Sequence, residues 1–225
     1  MKETIRNRLE LQFLSVGDNV SLARLVVALS LIHISLGLGH LHQIAGVPPC
    51  SAPQGAYGKM AEASHGKDST VGHWEIAGCY TEKPFPVYPN GFPPEIISAL
   101  VAAGGRGVLG NRPASGTAII AELGAEQMAT GKWIIYTSAD SVLQVAAHED
   151  KIPLAELYDF CQKARQIMQG KHGVARVIAR PYVGEPGAFV RTANRHDYSL
   201  KPPAGHLFQQ VQNGGLPSVA VGRCV

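Results

Sequence analysis

The segment Gly66–Glu75 brings together side chains that could attack an electrophilic centre. It reads GKDSTVGHWE and sets two adjacent hydroxyls, Ser69 and Thr70, behind a lysine and an aspartate. A hydroxyl that is to act as a nucleophile needs an exposed turn and a nearby positive charge or metal ion. The segment therefore contains a candidate nucleophile. The same residue types also begin helices as N-caps, which is the alternative for this segment taken alone.

A second polar segment, Asn111–Thr117, reads NRPASGT and precedes a helical pattern that runs to about Thr130. The first N–H groups of a helix have no partner within it and attract anions. The segment is therefore a candidate anion site. The alternative is an ordinary helix cap formed by Ser115 or Thr117.

A third polar segment, Tyr136–Ser141, follows an apolar strand pattern, at the kind of position where α/β proteins bind ligands. Asp140 could accept a hydrogen bond from a sugar hydroxyl, and Ser138 or Ser141 could donate one. The alternative is that Asp140 caps a helix from about Val142 to His148.

Four arginines fall within 20 positions, in a part of the chain with few acidic residues. The planar guanidinium group binds phosphate through two parallel hydrogen bonds, so the set suits a phosphate ester. The alternatives are solvated surface arginines or ion pairs with Glu185 and Asp197. The four residues are Arg176, Arg180, Arg191 and Arg195.

The composition indicates a globular protein and argues against several classes. Of the 225 residues, 45% are hydrophobic and 16% charged, and the net charge is only +3. Basic residues are scattered without interleaved aromatics, which argues against nucleic-acid binding. The cysteines are widely spaced and predict reduced thiols rather than a disulfide frame or zinc site. These are Cys50, Cys79, Cys161 and Cys224.

An apolar stretch, Leu22–Leu41, has roughly the length of a membrane span, but Arg24, His33 and His40 interrupt it. The segment before it is mixed in charge and lacks the basic start of a signal peptide. We therefore predict a cytoplasmic protein without a membrane span. Tethering through this stretch is the alternative.

From Tyr57 onward, helical and strand patterns alternate, which predicts the α/β class with an open sheet covered by helices. The predicted helices are Glu95–Ala103, Gly116–Thr130 and Leu154–Met168, and the predicted strands are Gly107–Gly110, Trp133–Tyr136, Ala175–Ala179 and Val219–Val221.

Taken together, these strings resemble bacterial phosphopentomutases, members of the alkaline-phosphatase-like superfamily. The resemblance rests on Gly66–Glu75, on Asn111–Thr117, on Tyr136–Glu149 (YTSADSVLQVAAHE) and on Ile178–Leu200 (IARPYVGEPGAFVRTANRHDYSL). It extends from about Gly55 to Val221. Several long strings in the same order make it far more specific than one short motif.

The resemblance implies a reaction that interconverts ribose 1-phosphate and ribose 5-phosphate, or the deoxyribose equivalents, in nucleoside catabolism. The family uses two manganese ions, a phosphorylated threonine and a ribose 1,5-bisphosphate intermediate. Ser69 stands at that threonine position, with Lys67 and Asp68 as neighbouring catalytic residues and Thr70 as a second candidate. Its phosphorylated side chain would be a metal ligand.

The resemblance also assigns substrate contacts to the cap domain. Ser138 and Asp140 would face the ribose, and Arg176 and Arg191 would hold the phosphate that does not react. Pentose phosphates are the implied partners, with no nucleic acid and no membrane.

The resemblance implies a nearly complete phosphopentomutase cap domain attached to a partial alkaline-phosphatase-like core. We expect a divergent segment over 1–54, a core fragment with the nucleophile loop over 55–84, the cap over 85–201 and the start of a return to the core over 202–225. The family's other metal ligands find no match in the chain, so we expect little or no mutase activity from it alone. The alternatives are a non-catalytic sugar-phosphate-binding remnant and a mutase of the cofactor-independent phosphoglycerate type.

Overall fold

The computed structural model describes residues 31–59, 61–66 and 68–218, and the chain divides into two compact units, residues 1–61 and 62–225. In the first unit, residues 31–35 are helical and a 3-10 helix covers Leu38–His40. The ring of His40 stacks on Tyr57 with centroids 4.9 Å apart, and its Nε2 lies 2.7 Å from the carbonyl oxygen of Cys50. These contacts fold the segment back on itself.

The second unit alternates helices and strands. Its helices are α1 (Ser69–Ile76), α2 (Pro94–Gly104), α3 (Gly116–Thr130), α4 (Leu154–Ile167) and α5 (Leu207–Asn213), with a 3-10 helix at Gly170–His172. Its strands are β1 (Val108–Pro113), β2 (Trp133–Thr137), β3 (Val142–His148), β4 (Arg176–Val183), β5 (Val190–Arg191) and β6 (His196–Ser199). The predicted α/β class is confirmed.

The six strands form one mixed sheet in the order β1-β2-β3-β4-β5, and β6 also pairs with β4. The pairs β1–β2 and β3–β4 are parallel and are connected through α3 and α4, as parallel neighbours require. The pairs β2–β3, β4–β5 and β4–β6 are antiparallel. β4 therefore lies between β3 on one side and β5 and β6 on the other.

The core fills one side of the sheet with α2 and α4. Trp133 of β2 stacks on Phe160 of α4 with centroids 4.5 Å apart, and Leu100 of α2 is fully buried nearby. Each fully buried side chain of this size stabilises the fold by roughly 1.5–3 kcal/mol. α2 begins with Pro94 in its first turn and ends before Gly105, whose φ of 63° needs a residue without Cβ.

The other side of the sheet is covered by α3 only in part. Ile119 and Ile120 of α3 pack on Tyr182 of β4. Alternate residues of a strand point to the same side, so Arg176, Ile178 and Arg180 share this side with Tyr182. We call the part of this side that carries Gln144, Arg176 and Arg180 the polar face. It is where the candidate site lies.

Residues 142–148 correct one sequence-based alternative. They form strand β3, which is buried at all seven positions, and not a helix capped by Asp140. The run VLQVAAH lacks a solvent-facing side because sheet neighbours flank it and helices cover it on both faces. Asp140 lies instead in the turn that joins β2 to β3.

The remaining sequence-based elements agree with the structure where it describes them. The helices predicted at Glu95–Ala103, Gly116–Thr130 and Leu154–Met168 are α2, α3 and α4. The predicted strand Val219–Val221, Cys224, and residues 22–30 of the apolar stretch lie outside the described residues. Within the described part of the chain, no helix is long and apolar enough to cross a membrane. Cys50, Cys79 and Cys161 are unpaired thiols.

Candidate functional site

Ser69 is presented at the first turn of α1. The Asp68 side chain caps this helix, accepting a 2.7 Å hydrogen bond from the Thr70 backbone N–H, as the N-cap alternative anticipated. Ser69 is exposed, whereas Thr70 is fully buried and its hydroxyl has no partner. Of the two hydroxyls, Ser69 is the one that a ligand can reach. Lys67 lies outside the described residues.

The loop before Ser69 is held by Glu75 from the end of α1. The two carboxylate oxygens accept hydrogen bonds of 2.8 Å from the backbone N–H groups of Ala63 and Ser64. These bonds favour the ionised form and hold the pKa of Glu75 below its usual 4.5. The Ser64 hydroxyl accepts from the backbone N–H of Thr81 at 3.0 Å, which fixes the other side of the loop.

Ser69 faces a cleft of about 350 Å³, which we call the serine cleft. It is predominantly acidic, because four carboxylates line it. Its lining residues are Glu62, Ser64, Gly66, Asp68, Ser69, Val71, Gly72, Glu75 and Asp140. The structure thus brings Asp140 together with the adjacent residues Asp68 and Ser69, which lie far from it in sequence. Ser138 adds a local contact, because its hydroxyl accepts from the Asp140 N–H at 3.3 Å.

Arg176, at the start of β4, is the buried cation beside the serine cleft. Its guanidinium lies 3.9 Å from Asp68 Oδ2, 3.8 Å from Asp140 Oδ2 and 3.7 Å from Asp197 Oδ2. These are ion-pair distances, longer than hydrogen bonds. Arg176 is only 8% exposed, and its Nε and the Oδ2 of Asp68 are buried without a hydrogen-bond partner. Three carboxylates therefore surround one guanidinium without direct hydrogen bonds to it.

Arg191 lies in a different pocket, of about 460 Å³, which we call the arginine pocket. Arg191 pairs with Tyr182, six residues along β4 from Arg176, so about 20 Å of strand separates the two positions. The structure does not bring Arg176 and Arg191 into one pocket. It places Arg191 beside two of the other predicted arginines. The pocket is lined by Thr117, Ile120, Arg180, Phe189, Val190, Arg191, Thr192 and Arg195.

Asp197 lies between the two pockets on the polar face. It pairs with Ile178 across β4 and β6, and its carboxylate accepts two hydrogen bonds from Arg195, at 2.6 and 2.5 Å. The same carboxylate is an ion-pair partner of Arg176. The suggested pairing of an arginine with Asp197 is therefore present, and it links the two pockets along the sheet.

Some residues of this arrangement escaped the sequence reasoning. Glu75, Gln144 and Glu149 carried no motif that assigned them a contact, because their partners lie on other elements. Asp197, by contrast, was suggested as an ion-pair partner of the arginines; it stands two positions after Arg195, and such residues share one side of a strand.

Metal ligands are sparse in this arrangement. Within residues 31–59, 61–66 and 68–218, no group of three or more histidine, cysteine, aspartate or glutamate side chains could hold a metal ion. The described residues alone therefore do not fit a two-metal centre. The class that fold and site define is a mixed α/β domain with a serine-bearing helix start and an arginine-rich sheet face.

Sequence comparison with known proteins identifies a more specific class. It is 57% identical over 188 residues to the phosphopentomutase of Carboxydothermus hydrogenoformans, covering 84% of this chain and 48% of the relative. It is 55% identical over 210 residues to that of Dictyoglomus turgidum, covering 92% and 53%. It is 50% identical over 215 residues to that of Alkaliphilus metalliredigens, covering 94% and 55%. No family model matches the chain.

The chain belongs to the phosphopentomutase family, and it spans about half the length of the relatives it matches. The matched stretches of 188 to 215 residues are longer than the Gly55–Val221 span of the sequence-based resemblance. They therefore include part of residues 1–54, and the expected divergence of this segment stays a prediction.

Proposed function

We propose that this chain provides the nucleophile and the sugar-phosphate contacts for a phosphopentomutase reaction. The reaction would interconvert ribose 1-phosphate and ribose 5-phosphate, or the deoxyribose forms, through a phosphorylated Ser69 and a 1,5-bisphosphate intermediate. The observation that carries the proposal is the exposed Ser69 hydroxyl at the start of α1, in one cleft with Asp68 and Asp140. Pentose phosphates as ligands and the cytoplasm as compartment belong to the same proposal.

Ser69 suits phosphoryl transfer in position and chemistry. Serine carries a hydroxyl group, as the family's threonine does, so the atom that would attack phosphorus is still a hydroxyl oxygen. The unpaired N–H groups and the dipole at the start of α1 favour a negative charge on that oxygen. The buried Thr70 hydroxyl has neither access nor a partner, which supports Ser69 as the nucleophile.

The acidic side chains beside Ser69 would bind the sugar and not the phosphate group. Asp140 is exposed and could accept from a ribose hydroxyl, with Ser138 next to it in the same turn. Arg176 offsets the charge of Asp68 and Asp140, and so limits the repulsion that a phosphoryl group would meet in this cleft.

A bound metal pair would offset the charge of the transferred phosphoryl group. The described residues do not fit such a pair. We therefore expect little or no conversion by this chain alone. In this proposal, activity depends on metal ligands that the described residues do not contribute.

A hybrid enzyme tests the proposed function. Residues 62–218 would replace the aligned segment of the Dictyoglomus turgidum relative, and conversion of ribose 1-phosphate would be measured with manganese and a trace of ribose 1,5-bisphosphate. We expect turnover by the hybrid, and little by the purified chain. Ser69→Ala should lower kcat in the hybrid by about a thousandfold or more, as the loss of a nucleophile does.

The matched control is Ser69→Thr, which retains the hydroxyl and should keep kcat within about tenfold, since it restores the family's own nucleophile. Undiminished conversion by a folded Ser69→Ala hybrid would rule out Ser69 as the nucleophile. Manganese-dependent turnover by the purified chain alone would contradict the expectation that its metal site is incomplete.

A further inference from the structure

Ser69 is connected to the sheet by the segment that follows α1. Residues 77–93 lie between the end of α1 and the start of α2, and we call them the linker. At Thr81 the linker is bonded to the loop before α1. The His65 N–H donates to the Thr81 carbonyl oxygen at 2.8 Å, and the Thr81 N–H donates to Ser64 Oγ at 3.0 Å. The position of the linker on the sheet therefore affects the position of Ser69.

The linker also packs on α1 itself. Phe85 contacts the buried ring of Trp74 edge to face, with centroids 5.3 Å apart and an angle of 82° between the ring planes. One residue earlier, Pro84 lies so close to Gly66 that a Cβ added to Gly66 would be 3.2 Å from the Pro84 Cβ. Two adjacent linker residues thus form the surface on which α1 and its preceding loop pack.

Ser141 binds the next residue of the linker. Its side chain is buried, and its hydroxyl donates to the Pro86 carbonyl oxygen at 2.5 Å. The same oxygen accepts a hydrogen bond at 3.2 Å from the N–H of Ala175, the residue before β4. The hydroxyl uses its single hydrogen within the protein, so Ser141 is not free to donate to a sugar hydroxyl, which leaves Ser138 for that role.

The turn that carries Asp140 is closed by its own hydrogen bonds. The Thr137 hydroxyl donates to the Val142 carbonyl oxygen at 2.7 Å, and the Val142 N–H donates to the Asp140 carbonyl oxygen at 3.0 Å. The Asp140 N–H donates to Ser138 Oγ at 3.3 Å. Because these bonds hold the turn together, a bond from Ser141 to the linker fixes the whole turn, including Asp140, relative to the linker.

The part of the linker nearer to α2 is held by other residues. The side chain of Asn111 in β1 accepts from the Phe92 N–H at 2.7 Å and donates to the Phe92 carbonyl oxygen at 3.0 Å. The Tyr88 hydroxyl lies 2.7 Å from His172 Nδ1. These bonds lie outside the part that contacts α1, so loss of the Ser141 hydroxyl should loosen that contact and leave the rest of the linker attached.

We propose that Ser141 is a positioning residue for the phosphoryl transfer. Its hydroxyl holds the linker, and through the linker α1, at the distance from Asp140 at which Ser69 reaches the phosphate of a sugar bound at the turn. The ion pair of Asp68 with Arg176 also joins α1 to the sheet, but at 3.9 Å it is longer than a hydrogen bond and less directional. The inference rests on the proposed function.

The kinetics of the hybrid enzyme test this role. Ser141→Ala should lower kcat by about tenfold to a hundredfold, because displacing a reacting group by about 1 Å has an effect of that size. KM should stay within about threefold of the parent value, since the turn that would hold the sugar keeps its own hydrogen bonds. Ser141→Thr, which retains the hydroxyl, should recover most of the lost kcat. A folded Ser141→Ala hybrid with the kcat of the parent would overturn the inference.

The matched control is Ser199→Ala in β6. The Ser199 hydroxyl oxygen is buried and has no hydrogen-bond partner among the described residues, so its removal should change neither kcat nor KM. Circular dichroism at the assay temperature establishes that each variant is folded. An equal loss of kcat in Ser141→Ala and Ser199→Ala would contradict a specific role for the bond to Pro86.

Tryptophan fluorescence of the purified chain tests the link between Ser141 and α1 without catalysis. The two tryptophans of the chain are Trp74 on α1 and the fully buried Trp133. Acrylamide should quench the emission of Ser141→Ala more strongly than that of the parent, because a loosened linker exposes Trp74. Ser199→Ala should match the parent. Equal quenching in all three proteins would overturn the inference.

The outcome is separable from that of the mutase proposal. An active hybrid whose kcat is unaffected by Ser141→Ala would sustain the function and refute the positioning role. In a hybrid without turnover the mutase proposal fails, and stronger quenching in Ser141→Ala would still support the attachment of α1 through Ser141.

Discussion

The serine cleft and the arginine pocket lie at two ends of one sheet face, and the charges of the side chains around them are opposite in sign. Beside the serine cleft, the carboxylates of Asp68, Asp140 and Asp197 surround the buried guanidinium of Arg176. In the arginine pocket, three guanidinium groups converge without an acidic lining residue among those described. Asp197 joins the ends by contacting Arg176 and Arg195.

The difference separates arginines that stabilise the protein from arginines that bind a ligand. A buried arginine among carboxylates offsets charge within the fold, and removing it leaves those charges uncompensated. Exposed or half-buried arginines that face one another without acids cost stability or contribute little, and become favourable when an anion binds. Arg176 belongs to the first kind and Arg191 to the second.

The largest effect that this comparison predicts concerns stability. Arg176→Met should lower the free energy of unfolding by about 3 kcal/mol, because it leaves the buried Asp68 carboxylate without its cation. Arg191→Met, at an exposed position, should change it by less than about 0.5 kcal/mol. Urea unfolding followed by circular dichroism measures both values.

Neutralising the acid provides the control. Asp68→Asn retains a capping side chain for α1 but removes the charge, so in the Arg176→Met background it should recover part of the loss. Equal stabilities for Arg176→Met and Arg191→Met would mean that the two ends of the face do not differ as described.

An intermediate effect is expected from the brace of the arginine pocket. Glu149→Gln weakens the hydrogen bonds to Thr192 and Asn194, so ribose 5-phosphate should bind about threefold to tenfold more weakly, as for loss of one charged hydrogen bond. Asp159→Asn, which pairs with Lys163 on α4, is the matched charge change and should have no effect. A Glu149→Gln affinity equal to that of the parent would show that the brace does not organise the pocket.

The smallest effect concerns pH and the loop before Ser69. The pKa of Glu75 is lowered in the folded state, so its stabilising bonds are present above its usual pKa of 4.5 and are lost as pH falls through the lowered value. Amide hydrogen exchange at Ala63 and Ser64 should be slower in the parent than in Glu75→Gln at pH 6, and the difference should vanish at low pH. A difference that persists at the lowest pH would mean that the carboxylate charge does not hold the loop.

Most of the fold was predictable from the sequence, because the local helix and strand patterns agree with the elements that form the sheet and cover it. Leu157, Cys161, Ala164 and Met168 recur at helical spacing, and all four are buried on one side of α4 or at its end. The segment Val142–His148 was ambiguous because a strand buried on both faces shows no alternation. Its strand identity depends on neighbours that come later in the chain.

The types of residue in the candidate site were predictable from the sequence. Which of them lie in the same pocket was less predictable. Ser69, Asp140 and Arg191 stand out by chemistry and by family resemblance. That Arg176 faces acids while Arg191 faces arginines depends on the pairing of β4 with β5 and β6, which sequence spacing does not specify.

The most direct test of this division compares the affinities of Ser69→Ala and Arg191→Gln for ribose 5-phosphate in the purified chain. If one end transfers the phosphoryl group and the other holds the second phosphate, Ser69→Ala should bind within about twofold of the parent, since a small exposed hydroxyl is lost, and Arg191→Gln should bind about tenfold or more weakly. Equal loss in both variants, or a loss confined to Ser69→Ala, would contradict the account.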